Sequence, residues 1–243
     1  MFLVLIENSS YEILNERYSH QTQWTKQFRE FIYRKLPESG DVYILEIGCG
    51  TGAVIRRVKD EYKNPNKVVF GIDINYKITN YAKFRDSAIY INGDGAELPF
   101  EDDVFDLVFC HYLLLWTENP VKIIKEMRRV LKHQGIAAAI AEPCYKEMTA
   151  SPDSLRNLAE EQRQKLQKSG SNINIGCELG NLFRKAGFQN VQSGPYQSGK
   201  MDSDYIQQEI SQMLVDTDRK QFQFETNTEY SYSVPTYYSF AIK

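Results

Sequence analysis

The chain has 243 residues, of which 42% are hydrophobic, 13% aromatic and 25% charged, a balance that suits one α/β domain with insertions and excludes a disordered polymer. A formal net charge of −3 without any long basic block excludes the positive field that a nucleic-acid backbone demands, and Arg56, Arg57, Arg128 and Arg129 read as the wet faces of helices.

The opening MFLVLI is apolar but short, lacks a basic start and meets Glu7 at once; it reads as an edge strand or docked arm, not as a signal peptide or membrane span. Over residues 11–36, apolar and aromatic side chains recur every three to four positions until Pro37. This predicts an N-terminal helical segment within residues 1–40, packed on a sheet or acting as a lid through Tyr18, Gln23 and Trp24. Residues 41–243 then alternate strand and helix patterns. Residues 42–47 form a continuous apolar run that stops at Gly48, as a strand buried on both faces does. Further strands are expected at 67–74, 87–93, 104–110 and 136–142, with helices after the first and second. Asn119 is the N-cap and Pro120 the first residue of another helix, with Gly135 as its stop.

Past Pro143 the alternation loosens into insertions at about 144–174 and 196–232. The first carries a polar helical stretch over 151–169; a helix over 175–188 and a short strand over 188–193 separate the two, and residues 234–243 make a final strand. Variable length is thus spent on one side of the sheet, where a substrate pocket would be built. Cys49, Cys110, Cys144 and Cys177 form no CxxC pair and have no histidine at zinc-ligand spacing, which predicts free thiols in a reducing, cytoplasmic compartment and no metal.

The densest chemical signal is LEIGCGTG at residues 45–52, a buried strand delivered into a glycine turn that lets a ligand approach the backbone. Gly48, Gly50 and Ala53 also satisfy the dinucleotide pattern, so the turn alone leaves a nicotinamide-dependent oxidoreductase open. Three acids narrow the ligand. Glu46 lies within the strand, where a carboxylate is costly without a hydrogen-bonded or cationic partner. Asp73 ends the second strand, placed to accept from ribose hydroxyls, and Asp94 ends the third, placed to accept from the exocyclic amine of an adenine. S-adenosylmethionine offers an ammonium, a sulfonium and an adenosyl group, and has no phosphate.

In order and spacing, LEIGCGTG, GIDI, GDGAELPF, FDLVFCHYLLLW and EMRRVLKHQG resemble the consecutive motifs of class I S-adenosylmethionine-dependent methyltransferases, nearest to the small-molecule branch of the ubiquinone/menaquinone-biosynthesis type, over roughly residues 43–142. The resemblance implies an α/β, Rossmann-like, seven-stranded and mostly parallel sheet with the last strand antiparallel and helices on both faces. It implies that Gly48, Cys49, Gly50 and Gly52 form the cofactor loop, with Glu46 near the methionine ammonium. Asp73 and Ile74 would hold the ribose and flank the adenine; Asp94, Gly95 and Ala96 would read the adenine edge; Cys110 and His111 would meet the methionine moiety. S-adenosylhomocysteine would be the product, a small molecule the methyl acceptor, and no metal is implied.

Methyl transfer is an in-line displacement at a carbon already activated by the sulfonium, so alignment and desolvation supply most of the acceleration and a base is optional. His111 and Glu142, at the ends of the fourth and fifth strands, are the candidate bases, each with a packing or hydrogen-bonding alternative. His20 and His133 read as ordinary. Pro143-Cys144 matches the nucleophilic Pro-Cys of cytosine-C5 methyltransferases only by coincidence, because it follows the fifth strand instead of the fourth. The fourth strand also lacks the Asn/Asp-Pro-Pro-Tyr/Phe turn of amide and nucleobase amine methylation, a further argument against a nucleic-acid acceptor. Tyr145, with Tyr196, Tyr205, Tyr230, Tyr232, Tyr237 and Tyr238, is a candidate wall for a flat or apolar acceptor. A binding protein without catalysis would keep the same loop and acids.

Overall fold

The structure, a computed structural model, describes residues 11–196, 203–217, 222–224, 226 and 228–243. The MFLVLI run and the side chain of Tyr205 lie outside the described residues. The N-terminal segment is two helices, Tyr11–Trp24 (α1) and Lys26–Tyr33 (α2), not one. The break falls at buried Thr25, where side chains compete for the backbone: Thr22 Oγ1 donates to the Ser19 carbonyl at 2.6 Å and Arg29 Nη1 to the Thr22 carbonyl at 2.6 Å.

Val42–Ile47 (β1) is buried except at Tyr43 and lies between two parallel partners, Lys67–Asp73 (β2) and Phe105–His111 (β4). Ile89–Asn92 (β3) adds to β2 and Leu131–Pro143 (β5) to β4, both parallel. Gln192–Tyr196 (β7) forms the far edge beyond Thr236–Ile242 (β9), which runs antiparallel to both its neighbours and completes the order β3-β2-β1-β4-β5-β9-β7. The expected seven-stranded sheet, with its final strand reversed, is present.

Side chains alternate across the sheet. Leu45, Ile47, Val108 and Cys110 pack with Ile124 and Met127 of Pro120–Val130 (α5) and Phe183 of Leu179–Lys185 (α7). On the other face Ile44, Leu107 and Phe109 meet Ile32 of α2 and Ile55 and Val58 of Ala53–Glu61 (α3). Tyr76–Lys83 (α4) starts at Asn75, whose side chain accepts from Lys77 N and Ile78 N. Asn119 caps α5 in the same way, but α5 ends at Val130, not at Gly135. Leu131 and Ile136 are both buried, and β5 starts early through an irregularity opposite β4.

The two insertions fold together. Thr149–Ser151 (β6) pairs antiparallel with Ser231–Ser233 (β8), a small sheet too short to show as a sequence period. Leu155, Leu158 and Ala159 of Asp153–Lys168 (α6) pack against Ile206, Ile210 and Met213 of Ser203–Asp216 (α8). This pair caps one end of the sheet.

Two expectations are corrected. Cys144 and Cys177 are joined as a disulfide with Cα atoms 5.8 Å apart, leaving Cys49 and Cys110 free and buried. The turn Ile175–Glu178 lies directly on the end of β5, where a Cβ at Gly176 would meet the carbonyls of Glu142 and Pro143, so residues 33 apart in sequence come together. Arg56 and Arg57 are not a wet face: they tie α3 to α1 through hydrogen bonds to Asn15 Oδ1 and Thr22 Oγ1. No helix among the described residues is long and apolar enough to cross a membrane.

Candidate active site

The parallel register brings the carboxyl ends of β1, β2 and β4 to one edge, where a cavity of about 720 Å³ opens. Glu46, Gly48, Cys49, Gly50, Asp73, Ile74, Asp94, Gly95, Ala96 and His111 all line it, with Tyr18 and Tyr145. The loop after β1 turns through Gly50, at φ +50°, and a Cβ there would come within 3.3 Å of the Tyr18 ring. Gly52 stands behind the wall: a side chain would run into the hydroxyl of Tyr90, so its role is helix packing.

Glu46 is 2% exposed, and its Oε2 has no hydrogen-bond partner. Burial drives its carboxyl well above the usual carboxylate range, against the pull of Arg29. Arg29 is itself held by Glu61 through a two-point pair at 3.0 and 2.7 Å. Asp73 Oδ2 accepts from Gly50 N and Oδ1 from Asn75 N, both at 2.9 Å, which lowers its carboxyl against the larger upward push of burial. Asp94 Oδ1 accepts from Ala96 N at 2.8 Å, and Ile74 is 73% exposed at the rim, an apolar platform beside these acids.

The two candidate bases have different surroundings. His111 Nε2 lies 3.2 Å from Thr25 Oγ1, and burial, reinforced by Arg29, lowers its pKa to about 3. Glu142 is outside the cavity wall and fully buried; Oε1 accepts from Leu113 N at 2.8 Å and Leu114 N at 2.9 Å, and Oε2 from Leu115 N at 3.2 Å. Burial raises Glu142 to about 7, offset by these bonds. It caps the short turn Leu114–Trp116, whose free N–H groups need an acceptor, and reaches the cavity only through Leu113.

The lid face of α1 also differs from the expectation. Gln23 is exposed and Trp24 half-buried, both off the cavity, while Leu14, Arg17, Tyr18 and Gln21 face it at helical spacing. Positions 14, 17, 18 and 21 share one helical face, whereas Gln23 and Trp24 lie off it. Of the described tyrosine side chains from 145 onward only Tyr145 lines the cavity; Tyr196 and Tyr238 pack against Phe28, Tyr237 bonds Glu147, and Tyr232 sits in the cap core. Residues not foreseen are Tyr112, Trp116 and Thr117 after β4, and Gln162, Gln212 and Asp216 from the cap. Among the described residues, the group close enough to share a metal is Cys144, Glu147 and Cys177, whose two sulfurs are bonded to each other and offer no thiolate.

A glycine turn and three acids at neighbouring strand ends, under a sheet with one reversed strand, define the adenosyl-binding class that the sequence motifs resemble. A family model described as a methyltransferase domain matches residues 45–139. An uncharacterized protein of Methanocaldococcus jannaschii is 30% identical over 152 residues, covering 61% of this chain and 65% of that protein's length. A demethylmenaquinone methyltransferase of Staphylococcus aureus is 28% identical over 213 residues, covering 79% and 86% respectively. Among solved structures, a chain of the Haloferax volcanii complex between the Trm112 methyltransferase activator and a methyltransferase superposes with a TM-score of 0.59 at 16% identity, covering 96% of this chain and 95% of that one. Residues 45–139 carry a methyltransferase domain, within a fold and motif order that match the class I S-adenosylmethionine-dependent methyltransferases.

Proposed function

We propose that the chain transfers a methyl group from S-adenosylmethionine to a small molecule held between the strand ends, α1 and the cap. The observation that carries this reading is the unpartnered, buried Oε2 of Glu46 on the wall of a cavity that also holds Asp73 and Asp94. A cationic ligand supplies the missing partner. S-adenosylmethionine, when bound, brings a methyl carbon already activated by a sulfonium, and the residues need to align the acceptor and exclude water. Asp73 receives the ribose hydroxyls while Gly50 N holds its carboxylate in place; Ile74 covers the adenine and Asp94 with Ala96 reads its edge. Gly48 and Cys49 carry the methionine end toward Glu46, and Tyr18 closes over Gly50. The Staphylococcus aureus relative's name supports a small acceptor.

Isothermal calorimetry with S-adenosylhomocysteine tests the reading. The folded chain is expected to bind it, and Asp73→Ala to weaken binding by about 2 kcal/mol, the scale of lost charge-assisted hydrogen bonds. Folded protein that binds neither S-adenosylmethionine nor S-adenosylhomocysteine would overturn it.

A further inference from the structure

The cavity continues past the strand ends to a chamber walled by Arg17, Tyr145, Gln162, Leu166, Gln212 and Asp216. Asp216, the last residue of α8, receives Gln162 Nε2 on Oδ2 and Gln212 Nε2 on Oδ1, both at 2.6 Å. Two neutral amides orient this carboxylate without neutralising it. Arg17, the cation of the same chamber, has its ion pair with Glu209 at 3.9 Å and interacts less strongly with Asp216. Among the described residues, Arg17, Glu209 and Asp216 together therefore leave one negative charge in excess.

Gln162 adds a second, independent demand. It is 4% exposed, its amide nitrogen is committed to Asp216, and its Oε1 has no partner. An amide acceptor buried without a donor is destabilising, because it gives up its bond to water and gains none in return. Gln162 Oε1 lacks an N–H or O–H donor, and Asp216, whose two oxygens each accept one amide N–H, has no cation at ion-pair distance among the described residues. The ring of Tyr145 and the side chain of Leu166 supply apolar walls beside them.

We propose that the acceptor carries an aliphatic ammonium group, seated on Asp216 and Gln162 at the cap end of the cavity, with an apolar body against Tyr145 and Leu166. The proposal rests on the methyltransferase reading and names its substrate class. An ammonium has several N–H donors and one positive charge, which meets both demands at once. A neutral quinol would answer Gln162 and leave the half-buried carboxylate of Asp216 without a countercharge, and an anionic acceptor would be repelled.

The test compares three probes of one shape, phenethylamine, phenethyl alcohol and phenylacetate, by calorimetry with the wild-type chain, with and without saturating S-adenosylhomocysteine. Phenethylamine is expected to bind at least about tenfold more tightly than either other probe, the scale of one charge-assisted contact. Asp216→Asn is expected to erase that preference and leave S-adenosylhomocysteine affinity unchanged. Equal affinities, a reversed order, binding by none of the probes, or a preference that survives Asp216→Asn would overturn the proposal; if that variant fails to fold, the wild-type order still decides. Failure of S-adenosylhomocysteine to bind would strike the methyltransferase reading instead, while the probe order without it still reports on this chamber.

Discussion

Thr25 Oγ1 lies 3.2 Å from His111 Nε2, a contact that joins the break between α1 and α2 to the end of β4. Arg29 Nη1 donates to the same hydroxyl at 2.6 Å, and the competing carbonyl of Thr22 is farther than the imidazole, at 3.4 Å. The hydroxyl donates either to the Thr22 carbonyl or to Nε2, and the tautomer of His111 decides which. With its pKa lowered to about 3 by burial, His111 does not take a proton near neutrality. Its imidazole nitrogen NMR shifts are expected to stay constant between pH about 8 and about 5. A titration near the ordinary 6.5 would show that His111 is not held neutral by burial.

Glu46→Gln separates folding from binding. The buried carboxyl is raised above its unfolded value, so the wild type is favoured while Glu46 stays protonated and loses that advantage as pH rises through the raised pKa. Glutamine has no charge to bury. The ligand-free variant is expected to melt a few degrees higher than wild type at mildly alkaline pH, yet to bind S-adenosylmethionine about tenfold more weakly. Unchanged affinity would mean that the ammonium lies elsewhere.

The sheet and the cofactor end of the site were legible because their signals are local. Residues 42–47 announce a two-sided strand by being apolar apart from Glu46; Gly48 follows that strand directly, Asp73 closes the second and Asp94 stands two residues past the third, so finding each strand end also found the residue at it. The acceptor end was not legible. Asp216 and Gln162 stand on different insertion helices 54 positions apart and meet only because Leu158 and Met213 pack, which no period within either helix reports. Glu142 was misread for a related reason: its position at a strand end was visible, but the direction of its side chain, toward the turn at Leu114–Trp116, depends on a loop whose path the sequence does not reveal.

Glu142 is expected to act through stability. Its carboxyl is raised to about 7 in the folded chain, so its contribution is greatest below the unfolded value of 4.5 and is lost as pH climbs toward about 7. Glutamine keeps an oxygen for Leu113 N and Leu114 N but turns an N–H toward Leu115 N. Urea unfolding of wild type and Glu142→Gln should therefore show the wild type's advantage shrinking across that window, by at most on the order of 3 kcal/mol. Comparing the two proteins cancels the pH dependence of His111 and other groups. A difference that stays flat with pH would rule out a raised Glu142.

The Cys144–Cys177 bond closes a loop with a sequence separation of 33, which restricts the unfolded chain by about 3–4 kcal/mol in the chain-entropy model. Thiol titration of denatured, unreduced protein is expected to find only Cys49 and Cys110. Reduction, or Cys177→Ser, should lower stability by an amount of that order. Its effect on ligands should be uneven: Cys144 precedes Tyr145, which lines the cavity, whereas Gly50, Asp73 and Asp94 are carried by the other half of the sheet. Affinity for S-adenosylhomocysteine should thus persist while binding of an acceptor-sized probe at the Tyr145 end weakens. Four titratable thiols in the unreduced protein would refute the pairing, and equal losses at both ends would refute the division between them.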